Sequence, residues 1–444
     1  MNVRAASGWD AADDPLRAVL ARSSGVRHIG RVAEAFGTLI RVTGIHASIG
    51  EMCELRTPGT TRRIFAEVVG LSGSHTLLTP LGPLEGISAA TEVVSMGRQA
   101  TIGAGDALLG RILDPLGTPM DGRPLERIED HVAIHRESPN PLDRTLISRP
   151  FATGVRAIDA VLTVGEGQRV GIFAVAGGGK STLLGMLARG SDADVNVIVL
   201  VGERGREVNE FIHDNLGKEG LERSVLIVAT SDRPASERAR AAYLGTAIAE
   251  HFRDRGRRVL LMMDSATRFA RALRDVGLAV GEPPARRGYP PSVFSELPRL
   301  FERSGNNAHG SITAFYTVLM EEEDGSDPVA EEVRSILDGH IILSRKLAAA
   351  YHYPAIDVLA SASRVMSRVV GADHLRAAGQ LRKYVAKHQE IELLLQLGEY
   401  KAGTDADADF AVARIDAIRQ LLQQPPAELS RFDDAVEGLR RLFG

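Results

Sequence analysis

The stretch Arg169-Val-Gly-Ile-Phe-Ala174-Val175-Ala176-Gly177-Gly178-Gly179-Lys180-Ser181-Thr182 decides the fold. An apolar run leads into three glycines, a lysine and two hydroxyl residues, and the segment from Thr182 to Arg189 is amphipathic at helical spacing. Strand, glycine loop and helix in that order form the context a phosphate-binding loop requires. Gly177, Gly178 and Gly179 lack Cβ atoms, so the backbone can curl until successive N–H groups face one phosphate. The helix N-terminus adds partial positive charge. Residues Ala174 to Thr182 are therefore the candidate nucleotide-binding set, with Lys180 expected to reach the β- and γ-phosphates of ATP and the Ser181 hydroxyl to ligate Mg²⁺. Ala174 stands where the stricter pattern has Gly, and small size is what that turn needs. Only six of the 53 basic residues are Lys, so a lysine rarely falls at this position by accident.

Outward from the loop, apolar segments alternate with helical ones: Val170 to Val175, Val195 to Val201, Val225 to Thr230, Val259 to Asp264 and Ser311 to Leu319. Near-continuous apolar strands alternating with helices indicate a parallel sheet covered on both faces. Before this core, short β-branched runs broken by Gly and Pro fill residues 28–96 and read as a small antiparallel barrel. Residues 97–150 are rich in turn text such as Asp114-Pro-Leu-Gly117, which predicts a linker with little regular structure, wrapping onto the ATPase domain of residues 97–364. From 365 to 444 helical spacing takes over, as in Leu375 to Leu397 and Ala411 to Leu422, and a helical domain is expected there. The fold class is thus multidomain α/β, with a β-barrel, a P-loop core and a C-terminal helical domain, preceded by a tail over residues 1–27.

Composition limits what such a chain does. Its 444 residues suit two to four domains at about 150 residues each. Hydrophobic residues at 44% and charged residues at 25% supply both a core and solubility. A net charge of -4 removes bulk positive charge as an argument for nucleic-acid or membrane binding, so no specific nucleic acid is expected. The single cysteine, Cys53, excludes an internal disulfide and fits a reducing cytoplasm. Neither a signal-peptide core nor an apolar run of the roughly 20 residues needed to span a membrane occurs.

Two carboxylates complete the expected chemistry. Val259-Leu-Leu-Met-Met-Asp264 is a strand ending in an acid, which in P-loop folds serves the Mg²⁺ shell, usually through water. Glu203 begins where the strand after the P-loop helix ends. Ligands of open parallel sheets bind outside the carboxyl ends of strands, so Glu203 is expected to share the crevice of Lys180 and to polarise the attacking water.

With these residues go Pro141-Leu-Asp-Arg144, Thr153-Gly-Val-Arg-Ala-Ile-Asp159, Gly202-Glu-Arg-Gly-Arg-Glu-Val208, Met263-Asp-Ser-Ala-Thr-Arg268-Phe-Ala-Arg271, Arg287-Gly-Tyr-Pro-Pro-Ser-Val-Phe294, Ser335 to Lys346 and His352-Tyr-Pro-Ala-Ile-Asp-Val358. Together they resemble the hexameric ATPases of rotary ATP synthases and protein export, and most of all the type III secretion ATPases. The resemblance implies Arg204 and Arg268 near the γ-phosphate, Tyr353 packed on adenine, and Arg364 as an arginine finger inserted by a neighbouring subunit. It also implies a homo-hexameric ring, a central stalk protein reached by the loop from Gly281 to Phe294, and secretion chaperone-cargo complexes bound by the C-terminal helices. Such a ring is expected in the cytoplasm, peripheral to a membrane-embedded export apparatus at the inner face of the bacterial membrane. A flagellar export ATPase, a catalytic rotary synthase subunit and a ring-shaped RNA translocase share the core and are the alternatives.

Two further patterns have bland readings. Asp405, Asp407 and Asp409 imitate a calcium loop, but Phe410 occupies the position needing Gly, which leaves a solvated helix start. The leucines of Ile391-Glu-Leu-Leu-Leu-Gln-Leu397 are expected mostly in the core of the helical bundle.

Overall fold

A computed structural model describes residues 28–126, 128, 130–175, 177–320 and 327–443, so the expected tail 1–27 and Ala176 of the glycine loop lie outside the described residues. Two compact units divide between Ala100 and Thr101.

The first unit is a closed six-stranded barrel of β1 (Ile29–Phe36), β2 (Leu39–Thr43), β3 (Glu51–Arg56), β4 (Arg63–Ser72), β5 (His75–Leu81) and β6 (Glu92–Gln99). Its strands pair antiparallel in the order β1-β2-β5-β4-β3-β6. Alternation sends Ile64, Ala66 and Val68 of β4 inward against Val42, Leu55, Leu78 and Val93. Cys53 is buried among them, and burial, helped by Glu51, raises its thiol pKa to about 12, so it acts as a small apolar core residue.

In the second unit, β7 (Thr101–Gly103) pairs with β9 (His131–Ala133), while β8 (Arg111–Leu113) joins the main sheet. The stretch 97–150 is therefore more than a linker. The end of β6 and three short strands come from it, and β8 is invisible to pattern reading because three residues carry no periodicity. The main sheet continues with β10 (Arg169–Ala174), β11 (Val195–Glu203), β12 (Ser224–Thr230), β13 (Arg258–Asp264), β14 (Ser311–Leu319), β15 (Gly339–Leu343) and β16 (Ile356–Ser363). Eight strands lie in the order β16-β15-β10-β14-β13-β11-β12-β8. All pair parallel except β16, which returns antiparallel to β15. Every residue of β11 is buried, as a strand covered on both faces demands. At the open edge the Arg382 guanidinium donates to the carbonyls of Leu359 and Ser361 in β16, at 3.2 and 3.0 Å.

Proline usage corrects one expectation. The segment 281–294 is not a loop throughout, because Pro291 opens a helix, Pro291–Phe301, that includes Ser292, Val293 and Phe294. A proline at the first helical position loses no hydrogen bond and has its φ already set. The loop is confined to residues 281–290, where Arg287 adopts φ 48°.

The C-terminal helices Ala372–Leu397, Ala406–Leu422 and Phe432–Phe443 share one core with the nucleotide-binding region. Leu381, Ile418 and Leu439 pack with Ile158 and Val161 of the helix Arg156–Val161. The buried face of Ala372–Leu397 stops at Ile391, and Leu393, Leu394 and Leu397 are 63%, 42% and 61% exposed. Most leucines of this run are thus surface residues, because the last six positions of the helix contain no buried one. Asp405 caps the next helix by accepting from the N–H groups of Asp407 and Ala408.

A buried ion pair ties the helix Ala235–Asp254 to the turn that follows the helix Pro291–Phe301. Arg303 donates to both oxygens of Glu250 at 3.0 and 2.7 Å and to the Ile134 carbonyl at 2.9 Å. Both side chains are almost fully buried. Removing one partner strands the other charge, so Glu250→Ala is expected to cost about 3–5 kcal/mol. Urea unfolding followed by circular dichroism checks this, and a loss below about 1 kcal/mol contradicts the account.

Candidate active site

Strands β10, β13 and β11 deliver the site, with β14 lying between the first two. After β10 the chain turns through Gly177 and Gly179, at φ 86° and 82°, with the Gly178 N–H donating to the Val175 carbonyl, and enters the helix Lys180–Gly190. Gly177 and Ser181 are exposed and Gly178 is buried. The first helical turn thus offers its free N–H groups and the Ser181 hydroxyl to one open space. Thr182 is half-buried in the same turn.

Glu203 ends β11, and its direction depends on a bulge. The β11–β12 register slips between Val201 and Glu203, and the intervening Gly202 has φ 70°. A Cβ there would sit 3.0 Å from Cδ of Arg268, so only glycine lets the strand turn while Arg268 crosses over it. Asp264 ends β13 beside it, and both carboxylates are buried.

Lys180 joins them. Its Nζ lies 2.5 Å from Oδ1 of Asp264 and 3.4 Å from Oε1 of Glu203, while Arg268 approaches Oε2 of Glu203 at 3.3 Å. Thr317, on the strand between β10 and β13, donates its hydroxyl to Oδ1 of Asp264 at 2.8 Å. Burial pulls the Lys180 ammonium down, but Asp264 and then Glu203 outweigh it and hold it above its ordinary value. Burial and the nearby Asp264 push Glu203 up to about 7, against the opposing pull of Lys180. Glu203 and Glu207 share a hydrogen bond, and it holds the Glu207 carboxyl below its usual range. Of the two carboxyls, Glu203 is the one held nearer neutrality. A carboxyl poised near neutrality beside a phosphate loop can take a proton from water.

The remaining expected residues fall in three places. Tyr353 stands beside the loop, where a Cβ on Gly179 would lie 3.4 Å from its ring. Arg204 is exposed and pairs with Glu207 at 3.3 Å, so it flanks the cluster without touching Lys180. Arg364 lies at the opposite end of the sheet. It follows β16, whose end pairs with the start of β15, and its N–H donates to the Asp338 carbonyl, which precedes β15 as Arg169 begins β10. From Arg169 to the end of β10 is about 17 Å of strand. Exposed there, Arg364 cannot reach the phosphate loop of its own chain.

Thr317 was not foreseen. Its signal was available, since a hydroxyl in the middle of the buried run Ser311 to Leu319 needs a partner. The oxygen donors suit Mg²⁺. Among the described residues no group of three or more His, Cys, Asp or Glu is placed to hold a metal, so a protein cage is not what is built. Ser181 and Asp264 instead offer the sparse, hard set of a cation that keeps waters and takes substrate phosphate oxygens.

Comparison with known proteins identifies the domains around this site. The nucleotide-binding domain of the ATP synthase alpha/beta family matches residues 154–363, and the β-barrel domain of that family matches 32–97. Residues 370–441 match the C-terminal domain of the T3SS EscN ATPase. A type 3 secretion system ATPase of Xanthomonas euvesicatoria is 60% identical over 93% of each chain. A flagellum-specific ATP synthase of Treponema pallidum is 48% identical over 96% of this chain and 95% of its own. The assembled ATPase EscN of enteropathogenic E. coli, in complex with its central stalk EscO, is 47% identical with TM-score 0.87, covering 93% of this chain and 99% of that one. A P-loop lysine held between two strand-end carboxylates, together with matches along barrel, core and C-terminal helices, places this chain in the type 3 secretion system ATPase family, within the ATP synthase alpha/beta group.

Proposed function

We propose that this chain is the ATP-hydrolysing motor subunit of a type III protein secretion apparatus, working as a homo-hexameric ring whose active sites lie between neighbours. The observation that carries this is the split of the site: Lys180, Glu203, Asp264 and Arg268 gather at one end of the sheet while Arg364 projects from the other. One chain holding both halves completes every site of a ring through head-to-tail contacts. The assembled state and the stalk of the EscN structure support that arrangement here. The secretion branch is favoured over the flagellar one by the 60% relative and the matching C-terminal domain.

In the proposed reaction Lys180 leaves Asp264 for the β- and γ-phosphate oxygens of ATP as the loop N–H groups and Ser181 close on them. Asp264, steadied by Thr317, and Ser181 would hold Mg²⁺, which when bound neutralises phosphate charge. Glu203 accepts the proton of the attacking water. Arg268 and the neighbour's Arg364 take up charge that spreads onto the phosphoryl oxygens, and Arg204 joins them only if it leaves Glu207. Tyr353 packs on the adenine. The loop at residues 281–290 faces the ring channel and the stalk, and the exposed Leu393, Leu394 and Leu397 offer apolar anchors for chaperone-cargo complexes. Among the described residues no helix is long and apolar enough to cross a membrane, which suits a peripheral place at the inner face of the cytoplasmic membrane.

Glu203→Gln is expected to bind ATP normally and to lose about 10²–10⁴ in kcat, measured by phosphate release and by binding of labelled nucleotide. Wild-type turnover in this variant would remove Glu203 from its role. Because the raised Glu203 is protonated below about pH 7, kcat/KM should fall as pH drops through about 7. ATP binding to Glu203→Gln over the same range subtracts protonation of the nucleotide itself. Mixing inactive Lys180→Ala with inactive Arg364→Ala should restore activity at seams that pair one intact Lys180 with one intact Arg364. Mixed rings verified by mass spectrometry that stay inactive would exclude a finger acting between subunits.

A further inference from the structure

The turn that carries Tyr353 has weak backing. A cavity of about 380 Å³ lies behind it, lined by Leu347, His352, Ile356, Val385, Ile418 and Leu422 among others, so packed side chains do not fix the turn on that side. Local bonds hold its start, as from the His352 N–H to the Leu347 carbonyl at 2.9 Å, and a hold on Tyr353 itself comes from the C-terminal helices. The connection after Ala406–Leu422 reaches over, and the backbone N–H of Gln424 donates to the Tyr353 carbonyl at 2.9 Å.

The Gln424 side chain is buried and both its amide hydrogens are used. Nε2 donates to the carbonyls of Gly154 at 2.9 Å and Glu428 at 2.7 Å, and Oε1 accepts from the N–H of Arg156 at 2.7 Å. Arg156 returns the grip on the same connection, donating to the carbonyls of Leu421 and Gln423 and to the Glu428 carboxylate. Gly154 leads onward to the phosphate loop. Its backbone presses on Gly190, the last residue of the P-loop helix, so closely that a Cβ would stand 2.6 Å from the Gly190 Cα. Gln424 therefore touches two parts of the nucleotide site at once: the main chain of Tyr353, and through Gly154 the far end of the helix that starts at Lys180.

We propose that Gln424 is a positioning residue for the base of the nucleotide, holding Tyr353 at a set distance from the P-loop, so that affinity for the base depends on where the C-terminal helices sit. The proposal rests on Tyr353 contacting the base. Phosphate binding runs through the glycine loop and Lys180, which Gln424 does not touch. The effects on base and phosphate are thus separable.

The test uses full-length assembled protein in the Glu203→Gln background, which halts turnover, with ATP and inorganic tripolyphosphate as probes. Gln424→Ala is expected to raise the Kd for ATP about tenfold, because its three side-chain hydrogen bonds are lost, while leaving the Kd for tripolyphosphate within about twofold. Tyr353→Ala should have the same selective effect, and the double variant should bind ATP no more weakly than Tyr353→Ala alone. Equal weakening of both probes by Gln424→Ala, or full additivity in the double variant, overturns the proposal. If Tyr353→Ala leaves the ratio of the two Kd values unchanged, the base-contact reading of Tyr353 fails, and the proposal falls with it. If that ratio changes for Tyr353→Ala and not for Gln424→Ala, the proposal alone fails. Gln424→Glu keeps the volume and the acceptor for Arg156, and it replaces the alanine variant should that one not fold, with the same outcomes deciding.

Discussion

One ammonium between two buried carboxylates sets the terms for the rest of the second unit. Lys180 from the start of its helix meets Asp264 and Glu203 from two strand ends within hydrogen-bonding or ion-pair distance. Burying two acids so close would be costly without a cation, and burying the lysine would be costly without the acids. Each strand must therefore end at the right level. The parallel registers of β10 with β14, β14 with β13 and β13 with β11 enforce that, and the Gly202 bulge makes the final adjustment for Glu203. The lysine satisfies the acids and they satisfy the lysine, so the cluster leaves no bare charge inside the protein.

The antiparallel return of β16 matters as much as the parallel part. Because it reverses direction, the chain that follows Tyr353 ends at the sheet pole opposite the phosphate loop and leaves Arg364 exposed there. A parallel last strand would have brought the same arginine to its own P-loop. Strand direction thus decides which end of the sheet Arg364 occupies.

Much of the site was legible from sequence because its chemistry sits in contiguous motifs. Lys180 follows three glycines, Asp264 ends an apolar run, and Glu203 follows another; a phosphate loop with strand-end acids beside it put all three on one crevice. What escaped depends on contacts between distant segments or on elements too short to have a period. Thr317 matters only once β14 lies between β10 and β13, and β8 has three residues. Gln424 sits in an unremarkable Gln-Gln-Pro-Pro stretch, and its partners at Gly154 and Tyr353 are 270 and 71 positions away along the chain. Pro291 misled because a proline both ends a helix and begins one, and only the following turn tells which. The exposed Leu393, Leu394 and Leu397 misled because periodicity states which residues share a face, not whether anything covers it.

The guanidinium of Arg382 on β16 has a consequence for solubility. A sheet edge with free carbonyls is a template for adding strands from other molecules. Arg382 occupies the carbonyls of Leu359 and Ser361, and the barrel of the first unit is closed and has no edge at all. Addition of a further strand along this stretch of β16 is thereby hindered, because a side chain already holds the carbonyls that such a strand would need.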